Sequence, residues 1–290
     1  MKIAFAMTFI IIFLIILSVE VNSEVSFFNG TTLYVGGSGP GNYTTIQSAI
    51  DAALDNDTVF VYQHSTPYRE NIVILKSILF MGENQGTELL GLDPSLSTIL
   101  IRHSFVTITN FGFADCDSTD ISVQDSSCIK ISKCFFKMNN QGIVFENISN
   151  SQISENHILS SYEGSIYLSQ STDNNINDNF IFIYSDSGII IKNNSKNNNI
   201  YNNNITEDAR RAGIQIYNNA GLKNKIYNNN FHCDVWSNVR SYWNDNYYQY
   251  RIVSQIPFFP KIIPLHFYLN FFSISFDFHP VQEPYNLICP

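Results

Sequence analysis

The chain has 290 residues, of which 44% are hydrophobic and only 14% charged, with a formal net charge of -9 and a pI near 5.0. This acidic balance excludes the clustered Lys and Arg that a phosphate backbone demands, so nucleic acid is not an expected partner. With so little charge, solubility rests on uncharged polar groups, and the middle of the chain is loaded with Asn and Ser. These residues compete for backbone hydrogen bonds in helix interiors and suit turns, so a turn-dense β protein is expected.

The N-terminus sets the compartment. Lys2 precedes an apolar run from Ile3 to Val19, interrupted only by Thr8 and Ser18, and polarity returns at Glu20, Asn22, Ser23 and Glu24. This is the pattern of a secretory signal over residues 1–23, cleaved near Ser23; an uncleaved anchor is the alternative, because the run approaches the shortest length that spans a bilayer. Either way the remainder faces a secreted, periplasmic or cell-surface space, and the membrane is touched only through this segment if it stays on.

Residues 24–57 read as an N-terminal strand followed by a short capping helix. Ile46, Ala49, Ile50 and Ala53 fall at helical spacing, and Thr44 or Thr45 stands where an N-cap belongs. Such a helix would plug the open end of a stack of coils, whose core and strand edges are otherwise exposed.

The stack itself is predicted over residues 58–231 from self-similarity. Gly142-Ile-Val-Phe145, Gly164-Ser-Ile-Tyr-Leu168, Gly188-Ile-Ile-Ile191 and Gly213-Ile-Gln-Ile216 open successive units at intervals of 22, 24 and 25 residues. Each unit carries a second strand of pattern I-x-x-N-x-[I/F], with ladder-position Asn at Asn156, Asn179, Asn203 and Asn229 and Cys134 in its place one unit earlier. A unit of short strands and polar turns cannot bury an apolar face alone; stacking about seven such coils buries every inward Ile or Phe. Stacking also sets the Asn residues one above another about 4.8 Å apart, where amides bond in ladders. A helical repeat fails, because two-residue alternation and turn residues run through every unit. The expected fold class is therefore all-β, a parallel β-helix.

Residues 232–290 depart from the repeat. Ile256 to Phe278 is aromatic and apolar, yet Lys261, His266, Pro257, Pro260 and Pro264 interrupt it, which disfavours a membrane-spanning helix. Ser273 to Phe278 alternates like a strand, and the tail reads as an aromatic-rich cap over the last coil; a sticky surface for a partner is the alternative. Five cysteines (Cys116, Cys128, Cys134, Cys233, Cys289) are too irregular for a disulfide framework or a CxxC metal site, and their pairing stays open. Six sequons, at Asn29, Asn42, Asn56, Asn147, Asn193 and Asn204, are expected by chance in so Asn-rich a chain.

The opening stretch is recognisable. Leu33-Tyr-Val-Gly-Gly, Asn42-Tyr-Thr-Thr-Ile-Gln-Ser-Ala-Ile-Asp-Ala-Ala53, Asp57-Thr-Val-Phe-Val-Tyr62, Tyr68-Arg-Glu-Asn-Ile-Val-Ile74 and Lys76-Ser-Ile-Leu-Phe-Met-Gly-Glu83 resemble NosD-like proteins of the pectin-lyase superfamily. The resemblance runs to about Asn246, through the Asn/Tyr/Trp-rich Ser241 to Tyr247. It implies a right-handed parallel β-helix and, from the family's copper association, a metal-handling role. The residues support copper little: His64, His103, His157, His232, His266 and His279 are scattered, and no metal site or cofactor is expected.

Polysaccharide-active β-helices carry acids, sometimes with Ca²⁺, and a basic residue in an outer groove. Aligning the units on their glycines sets Asn140-Gln141, Tyr162-Glu163, Asp186-Ser187 and Arg211-Ala212 on consecutive coils, with Arg210 beside them and Asp117 and Asp120 one coil earlier. Tyr162 would stack on a sugar, Asp117, Asp120 and Glu163 would hold hydroxyls or, in a carbohydrate-active protein, Ca²⁺, and Asp186, Arg210 and Arg211 are the catalytic candidates. A solvated charged rim accounts for the same residues. The expected function is an exported scaffold that binds polysaccharide or cell-envelope components. A polysaccharide lyase, epimerase or hydrolase at this edge, or a metal-handling accessory protein, are the alternatives.

Overall fold

A computed structural model describes residues 28–114, 117–161, 163–184, 187–207, 212–217, 220, 223–237, 241–248, 261–263 and 275–277. Along one coil the chain runs through three short strands that belong to three different parallel sheets. In the coil after Gly142 these are Gln141–Ser149, Gln152–Ser154 and His157–Ser161. The first belongs to an eight-stranded sheet C, the second to a twelve-stranded sheet A and the third to a nine-stranded sheet B. Sheet C therefore sets eight coils, one more than the repeat alone suggested.

Alternation within each strand sends every second side chain inward, and parallel register stacks like on like. Ile108, Ile131, Ile153, Ile176, Ile200, Ile226 and Trp243 form one unbroken column in sheet A. Phe113, Phe136, Ile158, Ile181, Ile205 and Phe231 form another in sheet B. These side chains are fully or almost fully buried, and each contributes roughly 1.5–3 kcal/mol by leaving water.

The corner between sheets A and B is turned by one residue in the left-handed region, Glu155, Asp178, Asn202 or Asn228, each followed by the ladder Asn. Asn156, Asn179, Asn203 and Asn229 are buried and bond to one another as predicted. The ladder continues to Asn246. A second one, Asn174, Asn198 and Asn224, lines the corner between sheets C and A. Each buried amide so satisfies backbone groups that the tight turns leave without ladder partners.

The glycines that open the units make room rather than supply flexibility. A Cβ on Gly142 would lie 2.5 Å from the backbone oxygen of Ser165, and one on Gly188 would lie 2.6 Å from that of Gly213. Gly164 is different: Ile143 pairs with Ile166 and Ile166 with Ile189, so Ser165 takes the opening position in its coil. Aligning that unit on Gly164 shifts it by one residue, and the edge residues of that coil move with it.

The predicted helix is present at Ile46–Ala52, with Ile46, Ala49 and Ile50 buried under the first coil. Its cap differs from expectation. Thr45 occupies the N-cap position without a side-chain cap bond; the N–H groups of Ile46 and Gln47 donate instead to the two carboxylate oxygens of Glu70, at 2.8 and 2.9 Å. Lys76 holds the other end, its ammonium donating to the carbonyls of Ile50, Asp51 and Ala53 at 3.1, 2.6 and 2.5 Å. The helix is thus tied to the following coils at both termini. At the far end, Ser275–Asp277 pairs with Lys261–Ile263 and meets the strand Tyr242–Asn244 through Trp243 and Asp277. Residues 1–23, expected to be a secretory signal, and most of the aromatic tail lie outside the described residues.

Candidate functional site

Sheet C carries outward side chains of several chemistries. Its alternation sends Ile121 and Val123 to the core and Ser122 and Gln124 to the other face, and register stacks these on Val144 and Glu146 and then on Tyr167 and Ser169, with Ser122 and Ser169 themselves buried among their neighbours. The next coil sets Lys192 on Ser169. Where each strand leaves the sheet, one residue enters the left-handed region: Asp125 at φ 48°, Asn147 at 57°, Gln170 at 52° and Asn193 at 52°. Asp and Asn tolerate that conformation through local side-chain bonds.

These two columns enclose an open groove of about 340 Å³ lined by Gln124, Asp125, Glu146, Asn147 and Gln170. Asn147 Nδ2 donates to Asp125 Oδ1 at 2.8 Å, which fixes the two turns against each other. Arg102 Nε donates to Gln124 Oε1 at 2.9 Å at one end. At the other, Lys192 Nζ lies 4.6 Å from the centre of the half-buried Tyr167 ring, a cation–π contact. The arrangement offers carboxylates that accept hydrogen bonds, amides that accept and donate, and an aromatic beside them.

The edge singled out from the sequence lies at the opposite ends of the same strands. Asp117 and Glu163 are exposed there, whereas Asp120 is fully buried. Thr119 Oγ1 donates to Gln141 Oε1 at 2.8 Å, and Gln141 Nε2 donates to Glu163 Oε2 at 3.1 Å, a polar chain over three coils. Tyr162, Asp186, Arg210 and Arg211 fall outside the described residues. The groove residues escaped the sequence reading, although the recurrence of Asp125 and Asn147 just after each GIxI-type strand was the available signal.

Three parallel sheets joined by tight corners around a single stacked core define a parallel β-helix. The chain belongs to the family described as "Periplasmic copper-binding protein (NosD)", whose model matches residues 50–256. A search of the curated proteins returns no match. Among solved structures, a pectate lyase variant from Xanthomonas campestris is 15% identical, covers 76% of this chain and 79% of its own, and superposes with a TM-score of 0.54. A pectin methylesterase in complex with a hexasaccharide is 11% identical, over 73% and 80% of the two chains, with a TM-score of 0.51. The ORF18 protein of Geobacillus virus E2 is 14% identical, over 70% and 48%, with a TM-score of 0.56. At these identities the likeness is one of fold.

The family description raises copper, which binds where soft or imidazole donors converge. Among the described residues no three His, Cys, Asp or Glu side chains gather into a metal-holding group. Cys134 is fully buried, its Sγ donating to the Ser132 carbonyl at 3.3 Å, and burial pushes its thiol up to about 12. His157 is sandwiched edge-on between Phe135 and Phe180. Among the described residues these side chains do not fit copper.

Proposed function

We propose that this protein is an exported β-helix that binds carbohydrate on the outer surface of sheet C and serves as a periplasmic or cell-surface scaffold. The observation that carries this reading is the groove formed by Gln124, Asp125, Glu146, Asn147 and Gln170 beside Tyr167. Sugar rings present hydroxyls around their rim and C–H bonds on their faces, so proteins hold them with carboxylates and amides next to an aromatic side chain. The family's periplasmic description is consistent with export.

The test incubates the chain from Glu24 to Pro290 with neutral, amino and uronate polysaccharides, with and without Ca²⁺, and follows both retention of protein and chain length of the polymer. The scaffold reading expects retention on at least one polymer with chain lengths unchanged, and weaker retention after Gln170→Ala or Tyr167→Ala. Shortened polymer would replace it with the enzymatic reading, and loss of cleavage on Asp186→Ala or Arg211→Ala would assign the chemistry to the other edge.

A further inference from the structure

Resting on the carbohydrate-binding reading, we infer the class of ligand: the sheet C groove takes a glycan bearing hydroxyls or amines and no carboxylate, laid along the axis of the coils, and it rejects polyuronates.

The first step is geometric. Successive coils lie about 4.8 Å apart, close to the advance of one pyranose unit in an extended chain. The groove repeats at that interval: Gln124 with Asp125 and Glu146 with Asn147 present one outward and one turn side chain on each of two coils, and on the third Gln170 faces the groove while Ser169 is buried and accepts from Asn193 Nδ2 at 3.0 Å. A chain laid along the axis meets one such pair at each of two successive sugars and Gln170 at the next.

The second step is charge. The groove lining holds two carboxylates, Asp125 and Glu146, on adjacent coils and three amides, but no cation. The nearby cations are committed at its ends. Arg102 is bonded to Gln124, and Lys192 stands over Tyr167 two coils beyond Glu146. A uronate unit in the middle of the groove would set its carboxylate against Asp125 or Glu146, a like-charge contact that disfavours binding. A hydroxyl or protonated amine in the same place donates to those oxygens in a charge-assisted bond. The net charge of -9 adds repulsion of polyanions at longer range.

Oligosaccharides of equal length decide it: neutral β-glucan, mannan and chitin fragments, a glucosamine oligomer, an oligogalacturonate and an oligomannuronate, titrated by calorimetry against the wild type and the double variant Asp125→Asn, Glu146→Gln. Both substituted side chains are at the surface, and circular dichroism confirms the fold of the variant. The expected result is wild-type binding of a neutral or amino oligomer that weakens about tenfold in the variant. Uronate oligomers bind the wild type negligibly and the variant measurably. Uronate binding by the wild type that the variant abolishes would overturn the ligand class and leave the carbohydrate reading standing. Neutral or amino binding indifferent to the variant would overturn the groove as its location. Binding of none of the oligomers would overturn the carbohydrate reading and this inference with it.

Discussion

The Oδ1 of Asn203 accepts two hydrogen bonds from Asn179, one from its backbone N–H at 3.1 Å and one from its side-chain amide at 3.0 Å. Asn203 Nδ2 in turn donates to the carbonyls of Ile176 and Tyr201 and to Asn229 Oδ1. One buried side chain therefore satisfies groups on three coils. Replacing it with Ala leaves at least the Asn179 N–H without its partner where water does not reach. Such a group costs about 1–3 kcal/mol, so Asn203→Ala is expected to lower unfolding stability by about that amount. Chemical denaturation of wild type and variant measures it. A loss below about 0.5 kcal/mol, the usual range of surface changes, would show that the ladder is dispensable.

The glycines of the repeat give a prediction of the opposite kind, overfilling. A methyl group on Gly188 would stand 2.6 Å from the Gly213 carbonyl oxygen and 3.2 Å from Ile183 Cδ1. The carbonyl belongs to a ladder strand and cannot retreat without breaking register. Gly188→Ala is therefore expected to cost about 1–3 kcal/mol, despite the better intrinsic conformational entropy of Ala. Stabilisation by this substitution, read as a raised melting temperature, would contradict the close-packed stacking of sheet C.

The fold was legible because its signals are local and repeated. Ile153 and Asn156, or Ile176 and Asn179, keep one spacing in every unit, and that spacing alone sends one side chain to the core and one to the corner. The second ladder of Asn174, Asn198 and Asn224 was hidden among neighbouring Asn residues that face water. The register at Gly164 was misread because a glycine was weighted above the Ile166–Leu168 alternation, while burial actually follows the alternation. The cap by Glu70 lies 24 residues from Ile46, beyond the reach of capping rules that look only at adjacent residues. The groove is likewise a product of stacking: Asp125 and Asn147 meet only because one coil lies on the next. Of the binding and catalytic candidates named from the sequence, the described residues include Asp117, Asp120 and Glu163.

Glu70 makes the link between helix and coil testable. Its two carboxylate oxygens hold the Ile46 and Gln47 N–H groups, the orphan donors that every helix start presents. Glu70→Ala is expected to destabilise the protein by about 0.5–2 kcal/mol, the range measured for caps. It should also speed amide exchange of Ile46 to Ala52 while the sheet A amides at Ile131 and Ile153 keep their protection. Exchange that rises equally throughout would mean that helix and coils open as a single unit. Exchange that does not change would deny Glu70 a capping role.

His157 ties stability to pH. Its ring lies 5.4 Å from Phe135 and 4.6 Å from Phe180, edge-on to both, on the outer side of sheet B. Desolvation by these neighbours holds its pKa below the ordinary histidine value, because burial penalises the charged imidazolium. The unfolded chain, with His near 6.5, then binds the proton more readily than the folded one, so stability rises with pH across this window. The contribution is fully present above the unfolded value and is lost as pH falls through the lowered folded value. Urea denaturation at pH 7.5, 6.5 and 5.5 is expected to show a falling midpoint for the wild type, and a shallower fall for His157→Gln, which carries no titrating ring. The difference between the two slopes removes the contribution of the other histidines. Parallel slopes would mean that the imidazole is protonated as easily between Phe135 and Phe180 as in the unfolded chain.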